Sequence, residues 1–160
     1  MPAREDREKG SSWRSVSGLF IGASILLFLA SLTQNGYQSD GPTENHKWAP
    51  ALTLFLFGWS GILARVVAWF ANPALGATWM LMRFRSKRLA ALCCAIASLA
   101  LSLSFLLQKE IMADEAGHMS RITAYGFGYW LWIASIATAL AGCIAATLRD
   151  RSAQIETPVV

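Results

Sequence analysis

Few residues in this chain could do chemistry, and their spacing limits what that chemistry could be. Both histidines, His46 and His118, stand in polar stretches with Asp40, Glu44, Asp114 and Glu115. Glu115 and His118 have the ExxH spacing that puts two metal ligands on one helix face. A di-iron bundle needs two such motifs, however, and Gly117 weakens the helix that would carry this one. Cys93, Cys94 and Cys143 lie in apolar sequence without a CxxC pair, which suits small packing residues rather than a redox couple. Ser98, Ser102 and Ser104 have no His or Lys in their apolar surroundings to serve as a base for intramembrane proteolysis. There is no HExxH, and no Asp, Glu, His or Lys falls inside a long apolar run. A helical zinc protease and the proton relay of a coupled transporter are thereby excluded. The residues read as those of a non-enzyme, with no cofactor and no metal.

The elements that must position these residues are mostly apolar. Hydrophobic residues make up 54% of the 160, charged ones only 15%, and the mean hydropathy is +0.39. A soluble domain carries about 25% charged residues, so the deficit points to a membrane protein. Nucleic-acid binding is disfavoured because the charges sit in short clusters between apolar runs.

Crossing about 30 Å of hydrocarbon takes about 20 apolar residues. Four runs suit: residues 13–33, 64–82, 89–107 and 124–148, with a shorter stretch at 51–63 that reads as re-entrant or interfacial. The expected fold is therefore an all-α polytopic helix bundle of four transmembrane helices plus that half-inserted segment. It would be flanked by a basic tail over 1–12 and a second tail over 149–160. Asn72-Pro73 should kink the second span, since proline removes a backbone donor. Small residues spaced by four, such as Gly18 and Gly22, Ala90 to Ser102 and Ala134 to Ala146, predict helix faces for close packing.

Lysine and arginine set the orientation. Ten lie in the two tails, at the start of the first run or between the second and third runs, against Lys47, Lys109 and Arg121 on the opposite side. The positive-inside rule then places both termini in the cytoplasm of a bacterial inner membrane. Gln34–Trp48 and Gln108–Thr123 become outward loops. Arg65 stands apart, flanked by apolar chain at the outer interface. It could anchor an anionic headgroup, pair with Asp114 or Glu115, or simply snorkel.

The strings Gly58-Trp59-Ser60-Gly61, Ala68-Trp69-Phe70-Ala71-Asn72-Pro73, Asp114-Glu115-Ala116-Gly117 and Ile122 to Trp132 occur in this order. With their AWxANP and GYWLW cores they resemble a group of small bacterial inner-membrane proteins. The resemblance implies that location and brings no catalytic residue with it. Trp59, Arg65, Trp69, Asn72, Tyr125, Tyr129 and Trp130 form the candidate interaction surface, in an aromatic cluster expected at the outer leaflet. In that cluster Gly126 and Gly128 would let the fourth span pass close to Trp59 and Gly61. The expected partners are the lipid bilayer and another membrane or periplasmic protein, with a homo-oligomer as a further option. An interaction, accessory or immunity-type protein fits best, and a small transporter or channel component is the alternative.

Overall fold

The long helices form where the chain runs apolar without an interruption. The computed structural model describes residues 2–40, 47–112 and 119–155. Their element order is α1 (Pro2–Leu32), β1 (Asn35–Ser39), β2 (Lys47–Pro50), α2 (Ala51–Phe57), α3 (Ala71–Leu81), α4 (Arg88–Ser104), β3 (Glu110–Met112), β4 (Met119–Tyr125) and α5 (Phe127–Ile155). Short 3-10 segments follow α2 (Gly58–Ala64), precede α3 (Ala68–Phe70) and cap α4 (Phe105–Leu107).

The expected all-α bundle of four spans is corrected on two counts. First, the two segments expected to be outward loops carry a four-stranded antiparallel sheet of order β2-β1-β4-β3. Tyr37 pairs with Ala49 on one side and Tyr125 on the other, and Glu110 pairs with Arg121. In β4, Met119–Tyr125, β-branched and aromatic residues suit a pleated, half-buried surface, and burial alternates over its first residues. Asp40 extends the ladder past β1. Its backbone N–H donates to the Arg121 carbonyl at 3.1 Å, and its carboxylate accepts from the Arg121 N–H.

Second, only two helical stretches among the described residues are long and apolar enough to cross a membrane, Arg85–Leu107 and Phe127–Arg149. The apolar helices Ser17–Leu32 and Ala51–Ile62 are shorter. The expected span at 64–82 breaks at Arg65, which adopts a left-handed conformation with φ 59° and ψ 23°. The Val66 N–H reaches back to the Gly61 carbonyl at 2.9 Å, the bond that accompanies a left-handed helix cap. Helix resumes after Val67, so Pro73 falls in the first turn of α3, where its missing N–H has no partner to lose. There it opens a helix instead of kinking one. The 11 residues of α3 then cover only about 16 Å.

Helix α1 packs along α5, α5 along α4, and α4 along α3. Trp79 joins the ring's ends by donating its indole N–H to Ser24 Oγ at 2.9 Å, while Ser24 donates to the Ser135 carbonyl at 2.8 Å. Ser98 donates to the Ala71 carbonyl at 2.8 Å, tying α4 to the start of α3. Small and hydroxyl-bearing residues such as Ser24, Thr78, Ala95, Ser98, Ser135 and Ala139 are buried beside the larger Phe28, Leu75 and Ile136, whereas Leu19, Leu26, Met80, Leu89 and Leu148 are exposed.

The small-residue rows are only partly those expected. Gly18 and Gly22 face open space, and the buried face of α1 is instead Ser17, Ser24, Phe28 and Ser31, its serines recurring every seventh residue. In α5, Gly142 and Ala146 are buried, with Phe20 of α1 lying directly against Gly142. Cys143 is buried in a cluster with Met82, Ala91 and Ala95, while Cys93 is exposed.

The helix directions sort the molecule into two ends. Arg88 at the start of α4 donates to the Ala146 carbonyl near the end of α5 at 3.0 Å, and Tyr129 at the start of α5 donates to the Ser102 carbonyl at 3.0 Å. One end therefore holds the sheet and the α2 hairpin. The other holds the start of α1, the Arg83–Arg88 turn and the end of α5.

Candidate functional site

Where the sheet meets the helices, a cavity of about 700 Å³ remains open. Its walls come from the end of α1 (Phe28, Ser31, Leu32), from β1 (Gly36, Tyr37), from the hairpin spanning residues 51–69, and from Asn72, Phe105, Gly128, Tyr129 and Trp132. Each wall has a local cause. β1 leaves α1 after a tight turn in which Gln34 N–H bonds the Ser31 carbonyl at 3.1 Å. The hairpin is folded back by the left-handed Arg65 and fastened by Trp69, whose indole N–H donates to the Phe55 carbonyl at 2.7 Å. α5 approaches because Gly126 and Gly128 have no side chains, so the Asn35 carbonyl comes within 2.3 Å and 2.8 Å of where their Cβ atoms would stand. They meet the end of α1 and β1, and not the Trp59–Gly61 region expected from the sequence.

The lining is aromatic and uncharged. No Asp, Glu, Lys, Arg or His contributes to it among the described residues. Most of its polar groups are already occupied: Ser31 donates to the Phe28 carbonyl, Ser60 to the Phe57 carbonyl, and Tyr129 to Ser102. Phe105 gathers three tyrosines, with ring centroids 5.6 Å from Tyr37, 5.9 Å from Tyr125 and 5.8 Å from Tyr129. Such pairs add about 0.5–1.5 kcal/mol each beyond area burial, so this cluster fastens the sheet to α4 and α5.

Three of the seven candidate surface residues, Trp69, Asn72 and Tyr129, meet at this cavity. Tyr125 stacks on Tyr129 at 5.0 Å just outside it. Trp59 and Trp130 are exposed, and Arg65 stands at the exposed turn behind the hairpin. Glu44, His46, Asp114, Glu115 and His118 lie outside the described residues, and with them the ExxH motif and any pairing of Arg65. Sequence reasoning missed Phe28, Tyr37, Phe55, Phe105 and Trp132. Trp132 was within reach, since it closes the GYWLW string and its indole donates to Asn72 Oδ1 at 2.9 Å.

Burial raises the Tyr37 phenol above its ordinary value of 10.0, and Tyr125 shifts the same way for the same reason. Ionising Tyr37 is therefore harder in the folded chain than in the unfolded one. Its contribution to stability is whole below about pH 10 and falls as pH climbs through the raised folded value. A Tyr37→Phe variant should lose less stability than the parent on alkaline unfolding, as read by the melting midpoint against pH.

Arg65 is the only non-glycine residue with positive φ among the described residues. A left-handed L-residue costs about 1–2 kcal/mol. Arg65→Gly is expected to raise thermal stability by up to about 1 kcal/mol, while the β-branched Arg65→Val should lower it. Chemical denaturation of the two variants checks this.

Compared with family models, curated proteins and solved structures, the chain matches none. The AWxANP and GYWLW strings matter here for what they build: Trp69 and Asn72 come from the first, Tyr129 and Trp132 from the second.

Proposed function

We propose that this chain is a membrane-held binding protein that acts by non-covalent recognition, as an accessory or immunity-type protein does. The observation that carries this reading is the cavity: large enough for a ligand, walled by aromatic rings, and lined by uncharged side chains among the described residues. Membrane residence is supported by the large apolar side chains turned outward, by the small and hydroxyl-bearing residues among those buried, and by the two long apolar helices. Hydrogen bonds between helices, such as that of Trp79 to Ser24, are the glue expected inside a bilayer.

Ten of the 14 Lys and Arg belong to the end away from the sheet, and Lys47, Arg65, Lys109 and Arg121 to the sheet end. By the positive-inside rule the ten-charge end lies in the cytoplasm of a bacterial inner membrane, with both termini, and the sheet faces outward. The exposed Trp59 and Trp130 then sit at the outer interface, open to lipid or to a partner protein.

Chloroform extraction of the purified protein followed by mass spectrometry tests the reading. A near-stoichiometric small molecule with the parent, absent from Ala68→Phe, whose ring would occupy the cavity, supports it. Identical extracts, together with no protein crosslinked from position 59 in cells, would overturn it. One observation favours a second reading, a small transport component. The backbone is interrupted between Arg65 and Val67 beside the cavity, as in helices that line transport sites. Solute flux through reconstituted vesicles decides that point.

A further inference from the structure

Two polar side chains on the cavity wall are left over after the internal hydrogen bonds are assigned, the exposed Thr53 aside. Asn72 uses its Oδ1 to accept from the Trp132 indole at 2.9 Å. An indole N–H can only donate, so the amide orientation is determined and Nδ2 remains as a donor. Among the described residues Nδ2 has no hydrogen-bond partner, and neither has the hydroxyl of Tyr37, the β1 residue that also lines the cavity. Both groups offer a hydrogen to a ligand, and neither carries charge.

The rest of the wall decides what body such a ligand can have. An ionised group placed among Phe28, Phe55, Trp69 and Trp132 would lose its hydration without gaining a countercharge. The hairpin that covers the cavity also turns apolar side chains outward. Leu52, Leu56, Phe57, Trp59 and Ile62 are each about half exposed or more. A cover of that kind suits contact with lipid, and no residue of α2 is buried; it is fastened by the Trp69–Phe55 bond, by the Ala51 N–H on the Gln34 carbonyl at 2.9 Å and by the Phe28–Phe55 ring contact.

From these observations we infer that the cavity takes an uncharged, lipid-soluble molecule presenting a carbonyl oxygen to Asn72 and Tyr37, received from the bilayer past the cover formed by residues 51–64. This rests on reading the cavity as the recognition site. The Tyr37 phenol, whose ordinary value of 10.0 burial raises further, is protonated and so a donor across the physiological range. A quinone and a diacylglycerol share this chemistry, the first through ring carbonyls and the second through esters.

The test uses the full chain in phosphatidylcholine nanodiscs, titrated with decylubiquinone, with dioctanoylglycerol and with ionised laurate, followed by melting midpoint and by tryptophan fluorescence. At least one neutral probe should bind saturably, and its relative affinity over the other tells a quinone from an ester source. Laurate should bind at least tenfold more weakly than that probe, by the cost of an uncompensated charge (about 1.4 kcal/mol per decade). Tyr37→Phe, and Asn72→Asp, which keeps the acceptor for Trp132 but gives up the amide donor, should each weaken the neutral probe by about fivefold. If Asn72→Asp does not fold, Tyr37→Phe alone decides. Laurate binding as tightly as the neutral probes, or unaltered affinity in the folded variants, overturns the assignment. A charged molecule extracted from the parent but not from Ala68→Phe would also end it while leaving the cavity's recognition role in place. Binding of no probe, with identical extracts, ends both.

Discussion

A Gly126→Val variant is expected to lose the docking of the sheet onto the helices. A Cβ at this position would stand 2.3 Å from the Asn35 carbonyl oxygen and 3.0 Å from its carbon. These are backbone atoms held by their neighbours, not the far end of a flexible side chain. The Gly126 N–H also donates to the Gly36 carbonyl at 2.8 Å, so moving α5 away gives up a bond that links strand and helix. Overpacking costs about 1–3 kcal/mol where side chains can yield, and here they cannot. A loss of about 3 kcal/mol or more, or about 10 °C in melting midpoint, is expected. Gly18→Val is the matched control. Nothing lies within 4 Å of its Cβ position, and valine is a better helix former than glycine, so stability should hold or rise by a few tenths of a kcal/mol. Equal losses in the two variants would mean that the close approach at Asn35 is not what limits packing.

Ser24→Leu should be nearly as damaging, for a different reason. Ser24 is fully buried where α1, α3 and α5 meet, and its hydroxyl both accepts from Trp79 and donates to the Ser135 carbonyl. Leucine would overfill the site and leave the Trp79 indole without a partner, each effect costing about 1–3 kcal/mol. Ser24→Ala leaves the same indole without a partner but does not overfill the site, and should cost only the second of those effects, about 1–3 kcal/mol. Two residues along the same helix, Leu26 is 69% exposed, and Leu26→Ala should change stability by less than about 0.5 kcal/mol. A soluble core would give the reverse order, with the leucine truncation the costly one. Guanidinium or thermal unfolding in detergent, read by tryptophan fluorescence, separates these outcomes.

Much of the helical part could be read in advance because its cause is local. Leu89–Leu107 carries no charge and no proline, and the structure places α4 and its 3-10 cap over that stretch. Tyr129 and Trp69 were picked out as an aromatic cluster, and both line the cavity. The sheet was hidden because its strands look like turns. Asn35-Gly36 has the composition of a loop, and it becomes a strand by pairing with residues near 50 and 125. A division of the apolar chain near residue 63 was legible, but the left-handed turn at Arg65 was not, since such a cap is signalled by glycine, and arginine gives no such sign. The inward face of α1 was misread because GxxxG spacing is more visible than a serine every seventh residue. Which face turns inward depends on what α5 presents to it.

The chain's own residues, taken in order, determined where helix and polar turn alternate, which end collects the basic groups, and that no Asp, Glu, His or Lys is set among the apolar runs. These follow from forces acting over a few neighbouring residues: hydration of charge, helix propensity and the cost of exposing apolar surface. Tertiary structure alone decided the four-stranded order, the hairpin at Arg65 and the cavity between them. Each needs groups far apart in sequence to meet, as Ser24 and Ser135 do across 111 positions, and a space enclosed by such groups has no local signature.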